Sequence, residues 1–321
     1  MQVDSQKKFI DRIKNEWSSI KRQELCPPFP ETLMLELTNG CNLKCIMCQN
    51  TTMQRKTGLM SLEIIEQLLV EASENGIKKI ALYTTGEPLI HPKFTEIVRL
   101  CKDYGFYTYT TSNGLLLNSK KVFKLIEAGL DSIKISIDGA DKETYEKIRV
   151  GGKFEKLLEN LKMLKEARDQ LNSDMKIYAG AVVMNLTDDT IEKFRETYSP
   201  LVDGIYFSPL VNQSGQISEQ YNDLKSNKID INTEWQPCKM LWDRLVIAWN
   251  GSVSACCVDY ELDLEYASYK PGNLKDIWQN QKMQGFRKAH LEGHVEDMAL
   301  CKTCNAPMIQ QSEILDKVNS L

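Results

Sequence analysis

The chain has 321 residues, 42% apolar and 26% charged, with a formal net charge of −4, which allows one large domain or two smaller ones with a buried core. The charge gives no general electrostatic case for nucleic acid, and no apolar run approaches the roughly 18–20 residues that span a bilayer. The polar start Met1-Gln2-Val3-Asp4 has no signal-peptide core, so the expected location is the cytoplasm, with neither nucleic acid nor membrane as partner.

Phe9, Ile10, Ile13, Trp17 and Ile20 recur at helical spacing over 1–24, and Pro27, Pro28 and Pro30 end that helix, so 1–30 reads as a helical lead-in. A strand, Thr32–Leu37, runs into a cysteine loop. Further strand-like stretches lie at Lys79–Tyr83, Phe106–Thr110, Ser132–Ile137, Lys176–Val183 and Gly204–Phe207. Helix-like stretches alternate with them at Ser61–Ser73, Phe94–Asp103, Ser119–Ala128, Phe154–Arg168 and Asp188–Tyr198. Gly76, Gly105 and Gly129 follow three of these helices, where a left-handed cap is expected. Six strands alternating with helices predict an α/β fold, a partial (β/α)6 TIM-like barrel over 31–210, short of the eight units that close a full barrel. Its chemistry belongs at the C-terminal strand ends. Residues 211–236 are polar and weakly periodic and read as a linker. In 237–321, Asp243–Trp249 and Val253–Ala255 flank Asn250-Gly251, a hairpin signal, and Leu274–Phe286 is helical in pattern. With few elements and many cysteines, this part is expected to be a small hairpin-plus-helix domain folded around metal.

The chain has ten cysteines, and a reducing compartment disfavours pairing them as disulfides. Cys41, Cys45 and Cys48 are spaced Cys-x3-Cys-x2-Cys, with no fourth cysteine close by. Three thiolates can hold three irons of a 4Fe-4S cubane and leave one iron open, the mark of a reactive rather than a sealed site. The spacing alone also permits zinc or an ordinary ferredoxin cluster. Cys101 falls in a helical pattern and reads as core, and Cys26 has no evident role.

Motifs at later strand ends give the loop its context. Thr85-Gly86-Glu87-Pro88, Thr111-Ser112-Asn113-Gly114, Ser136-Ile137-Asp138-Gly139 and Val183-Met184-Asn185 each follow a predicted strand. With the cysteine loop, this series resembles the radical S-adenosylmethionine (SAM) superfamily over roughly 31–210. The resemblance implies that SAM chelates the open iron and is cleaved to a 5′-deoxyadenosyl radical that abstracts a substrate hydrogen. It further implies that backbone at Gly86 and the Glu87 carboxylate hold the SAM ammonium. Ser112 and Asn113 would lie below the ribose, and Ser136, with Asp138 beside it, at the SAM carboxylate. Met47, Met184 and Asn185 would lie near the adenine. The family's Gly-Gly-Glu-Pro has threonine at its first position here. Arg149, before Val150-Gly151-Gly152, is similar to an arginine of members with cysteine-rich extensions, where it pairs the SAM carboxylate or touches substrate.

Downstream, Cys238, Cys256, Cys301 and Cys304 are spaced Cys-x17-Cys-x44-Cys-x2-Cys. Trp249–Cys256 and Gly272-Asn273-Leu274 are similar to SPASM and Twitch extensions, and four cysteines fit the Twitch form with one auxiliary 4Fe-4S cluster. Cys257 is left over, and the choice of Cys256 over Cys257 rests on the family pattern. Zinc is the alternative, because Cys301-Lys302-Thr303-Cys304 is equally a zinc knuckle. His290 and His294 are spaced as helical ligands but read as surface residues. The layout is similar to Twitch-type 2-deoxy-scyllo-inosamine dehydrogenases. It implies oxidation of a sugar or cyclitol alcohol to a ketone, the auxiliary cluster accepting the electron that the substrate radical gives up, with a reductant such as flavodoxin or ferredoxin as partner. The alternatives are an epimerase with Cys257 as hydrogen donor and a peptide-modifying enzyme. The catalytic base stays open, since arginine at 149 resists deprotonation.

Overall fold

The computed structural model describes residues 28–229, 236–309 and 319. The expected helix over 1–24 and Cys26 lie outside the described residues.

The fold is organised by strand β1, Thr32–Leu35, buried along its whole length. On one side it pairs in parallel with β2 (Lys79–Ala81), Leu33 opposite Ile80. The sheet continues in parallel through β3 (Tyr107–Ser112), β4 (Ser132–Ser136), β5 (Lys176–Val183) and β6 (Gly204–Pro209). On its other side β1 pairs in parallel with β7 (Arg244–Ile247), Leu33 opposite Leu245. β7 then forms an antiparallel hairpin with β8 (Ser252–Ser254), which pairs with β9 (Glu265–Ser268). The cysteine-rich part therefore extends the barrel sheet, in the order β6-β5-β4-β3-β2-β1-β7-β8-β9. The Asn250-Gly251 hairpin is present as expected, with Gly251 at φ 87°; β9 and the β1–β7 pairing had no local signal.

Helices Leu62–Glu74, Phe94–Asp103, Ser119–Glu127 and Phe154–Gln170 cover the outer face with buried stripes such as Ile65/Leu68/Leu69 and Leu157/Leu161/Leu164. Each fully buried Leu or Ile stabilises by roughly 1.5–3 kcal/mol against exposure. The helix starts follow local chemistry: Ser61 Oγ accepts from Ile64 N and Asn118 Oδ1 from Lys121 N. Gly76, Gly105 and Gly129 have φ of 76°, 78° and 84°, the left-handed turns expected of them. Cys101 is fully buried in this layer, and burial pushes its thiol up to about 12. An additional helix, Lys142–Ile148, is capped by Asp141, whose Oδ1 accepts from Thr144 N.

The other face of the strands points inward. Register places Ala81 beside Tyr109, Thr111 beside Lys134, Lys134 beside Tyr178, and Gly180 beside Tyr206. Met34, Ala81 and Val246 form a separate inner cluster with Tyr83, Tyr109 and Cys257. Between β6 and the cysteine-rich part, helix Ser218–Leu224 follows the buried Ile217, and Lys225 bridges to Met184. Among the described residues no helix is long and apolar enough to cross a membrane.

Candidate active site

The loop carrying Cys41, Cys45 and Cys48 follows β1 and is gripped by the chain after helix Lys142–Ile148. Lys44 N donates to Val150 O at 2.9 Å and Ile46 N to Ile148 O at 3.0 Å. Cys45 is buried, Cys48 half-buried and Cys41 exposed as a residue. Burial pushes the Cys41 thiol up to about 11. It raises Cys45 too, while the Arg149 guanidinium pulls the other way. Ligation to a metal displaces those protons.

A buried acid that carries no motif ties this region together. Glu36 is 2% exposed and pairs with Arg55 at 2.7 Å, accepts from the Thr85 hydroxyl, and accepts from Trp249 N at 3.2 Å. Thr85, which replaces the family glycine, thus anchors the second strand end to the first. The available signal was an acid inside the apolar run Leu33–Leu37. Gly86 is required by close approach: a Cβ there would lie 2.3 Å from Thr38 O and 2.7 Å from Gly40 O. Gly86→Ala is therefore expected to displace the cysteine loop and to lower iron after anaerobic reconstitution from about eight toward about four per chain. An iron assay checks this; full iron content would mean that the loop yields.

Glu87 is buried and joins the second and third strand ends. Its Oε1 accepts from Ser112 Oγ at 2.8 Å and Leu89 N at 3.1 Å, and its Oε2 from Asn113 N at 2.8 Å. Burial raises its pKa against these three donors. Asn113 Nδ2 reaches Asn42 Oδ1 at 2.9 Å, binding this cluster to the cysteine loop. Met47 and Met184 are buried in one apolar cluster with Leu43, Ile148 and Leu210. Asn185 does not join them: it is exposed, and its side chain donates to Asp223 O at 2.7 Å. Ser136 ends β4, half-buried, on the lumen face two residues after Lys134.

Arg149 is not a solvated helix-end residue. Its Nε pairs with Asp138 Oδ2 at 2.5 Å, and its guanidinium approaches Cys45 Sγ at 3.5 Å. Asp138 is held at φ 68° and also accepts from Val182 N at 2.7 Å.

The second cysteine set converges. Cys238, Cys256, Cys301 and Cys304 all line one cavity of about 250 Å³, and Cys257 does not. Burial pushes Cys238 and Cys256 well up and Cys301 to about 12. His290 also lines the cavity; it is 1% exposed, its Nδ1 accepts from Cys238 N at 3.2 Å, and burial pushes its pKa down to about 4. The expectation of a surface residue fails for His290, which packs inward from helix Gln281–Glu292, and holds for His294, whose side chain is exposed.

Two contacts join the cysteine sites. Gln213 donates to Met47 O at 2.8 Å and accepts from Gln49 N at 2.9 Å, while the Ser214 hydroxyl lies 3.7 Å from Cys304 Sγ and 3.9 Å from Cys256 Sγ. Gln213, Ser214 and Gly215 have φ of 47°, 61° and 79°, a left-handed run that two non-glycine residues adopt only under constraint. From the other direction, Tyr260 OH lies 3.5 Å from Cys48 Sγ, and Glu261 accepts from Gln54 N at 2.7 Å and Arg55 N at 3.2 Å.

Comparison with known proteins places this geometry. The radical SAM superfamily model matches residues 35–198, half of the chain, and the SPASM iron–sulfur cluster-binding domain matches residues 238–305. The chain belongs to the radical SAM superfamily and carries a SPASM domain.

Among curated relatives, the AdoMet-dependent heme synthase of Methanosarcina barkeri is 35% identical over 140 residues, a match spanning 43% of this chain and 40% of that protein. The tungsten-containing aldehyde ferredoxin oxidoreductase cofactor-modifying protein of Pyrococcus furiosus is 26% identical over 85% of this chain and 88% of its own. Among solved structures, BtrN in complex with AdoMet and 2-DOIA has a TM-score of 0.60 at 21% identity, over 90% of this chain and 98% of its own. Streptococcus suis SuiB bound to precursor peptide SuiA has a TM-score of 0.65 at 16% identity, over 83% and 67%. At these identities the two structures share the fold.

A 4Fe-4S cluster and SAM go with the first domain and further iron–sulfur with the second. The donors fit such groups. Cys238, Cys256, Cys301 and Cys304 line one cavity, a thiol-only donor set of the kind such a group takes.

Proposed function

We propose that Cys41, Cys45 and Cys48 hold the SAM-binding cluster and that Cys238, Cys256, Cys301 and Cys304 hold an auxiliary one. On this reading the enzyme oxidises an alcohol of a sugar or cyclitol to a ketone. The observation that carries the reading is the cavity wall: the four thiols share it with Val182, Tyr206 and Ser208 of β5 and β6, so the auxiliary site opens toward the barrel lumen. When bound, the clusters and SAM supply one-electron hydrogen abstraction and an electron acceptor.

The protein's own groups do the rest. Glu87 and backbone at Gly86 receive the SAM ammonium; Ser136 and Arg149, fixed by Asp138, face its carboxylate. Ser112 and Asn113 support the ribose, and Met47 and Met184 the adenine. Ketone formation removes from the substrate a carbon-bound hydrogen atom, the hydroxyl proton and one further electron. Lys134 suits the proton. Its amine lies 5.6 Å from the centre of the Tyr206 ring, no carboxylate pairs with it among the described residues, and burial lowers its pKa toward the neutral base. BtrN, crystallised with 2-DOIA, supports a small-molecule substrate, and SuiB, crystallised with a peptide, supports the competing one.

The test is anaerobic reconstitution with SAM and a panel of inositols, aminocyclitols and sugars. One ketone per 5′-deoxyadenosine is the expected yield. Deoxyadenosine accumulating with a turned-over substrate but no oxidised product removes the reading. One observation favours epimerisation as the second reading: Cys257 packs with Tyr83, Tyr109 and Met34 on the lumen side, not in the four-thiol cavity.

A further inference from the structure

The chain is acidic overall, yet one surface cleft is strongly basic. It lies between helices Phe94–Asp103 and Ser119–Glu127 and encloses about 640 Å³. Lys93, Arg99, Lys120, Lys121 and Lys124 line it, against the two carboxylates of Glu96 and Glu127. Glu96 is engaged by Lys93 at 2.9 Å. Arg99, Lys120 and Lys124 are exposed and have no ion-pair partner among the described residues. A local cationic field on an anionic protein selects an anionic partner and speeds its encounter.

The cleft's inner rim leads to the first cysteine site through hydrogen bonds. Lys121 Nζ donates to Leu89 O at 3.1 Å, Leu89 N to Glu87 Oε1 at 3.1 Å, and Glu87 N to Gly40 O at 2.8 Å. Gly40 precedes Cys41 in the chain. The family's chemistry takes one electron per SAM cleaved, and that electron comes from outside the chain.

We propose that this cleft docks the acidic one-electron carrier protein that reduces the site at Cys41, Cys45 and Cys48. The carrier's carboxylates face Arg99, Lys120 and Lys124, and its electron enters along the Leu89–Glu87–Gly40 contacts. The inference rests on the proposed SAM-site assignment at Cys41, Cys45 and Cys48 and not on the alcohol-oxidation reading, since substrate class plays no part in it.

The experiment compares the reconstituted full chain with its Arg99→Glu/Lys120→Glu/Lys124→Glu variant. Deoxyadenosine formation is driven in turn by a photoreduced flavodoxin, a photoreduced ferredoxin and dithionite. With at least one carrier the variant is expected to be slower by about 10-fold to 1,000-fold at low ionic strength. The gap should narrow in about 0.5 M salt. With dithionite the rates should agree within about two-fold, since a small diffusible reductant needs no docking surface. Equal rates with both carriers overturn the proposal, as does a parallel loss with dithionite or a carrier-driven rate indifferent to salt. If the variant folds poorly by circular dichroism, Lys120→Gln/Lys124→Gln replaces it, with a smaller fall of the same selectivity expected. Failure of dithionite to drive cleavage in the unmodified chain would instead count against the SAM-site assignment.

Discussion

Arg149→Met is expected to lower unfolding free energy by about 3–5 kcal/mol, because it leaves the Asp138 carboxylate buried without its cation. The Asp138 side chain is only 1% exposed, and its other oxygen is already taken by Val182 N. Thermal melting of the apo chain should show this as a fall on the order of 10 °C. The double variant Arg149→Met/Asp138→Asn should recover most of the loss, since both charges leave together. Asparagine is the right partner because position 138 has φ 68°, a conformation Asn tolerates and β-branched residues do not. Function is expected to separate from stability in this pair. The Arg149 guanidinium lowers the Cys45 thiol against burial more than the Asp138 carboxylate raises it, so removing both charges still weakens thiolate formation. Iron uptake at the first site should therefore stay low in the double variant although its melting recovers. Recovery of both would reduce Arg149 to a structural cation.

The parallel barrel was legible because its signals are local. Apolar strands, capped helices such as Ser61 and Asn118, and glycines 76, 105 and 129 each obey rules spanning a few residues. The strand-end motifs were legible for the same reason. What escaped the sequence is long-range. Pairing of β7 with β1 joins Leu33 to Leu245, and no periodicity encodes such a partner. Glu36–Arg55 is a buried pair whose members look like an odd strand residue and an ordinary loop cation. His290 was misplaced because helix Gln281–Glu292 has a weak apolar stripe, in which a buried imidazole and Arg287 stand where hydrophobes usually mark the inner face. Tyr83, Tyr109 and Tyr206 are half-buried on the inner face, and strand alternation by itself does not tell such a lumen position from a core one.

The adjacent cysteines 256 and 257 should separate completely by experiment. Strand geometry sends successive side chains to opposite sides, and the pair just after β8 keeps that divergence: Cys256 faces the four-thiol cavity, Cys257 the lumen cluster with Met34, Ala81 and Val246. Cys256→Ala is expected to remove an auxiliary ligand and to drop iron from about eight toward about four per chain, with the SAM-site spectrum retained. Cys257→Ala is expected to retain full iron. Its product profile then decides between the two reactions. A dehydrogenase needs no thiol hydrogen in the lumen, so ketone formation should continue at a rate within a few-fold of the parent. An epimerase needs the Cys257 S–H to return a hydrogen atom to the substrate radical, so deoxyadenosine should still form while epimer does not. Cys257 Sγ lies 3.3 Å from Met240 Sδ, and burial raises its pKa, which keeps the thiol protonated and able to act in that way at neutral pH. Iron loss in Cys257→Ala with full iron in Cys256→Ala would exchange their roles and move the auxiliary site one residue toward the lumen.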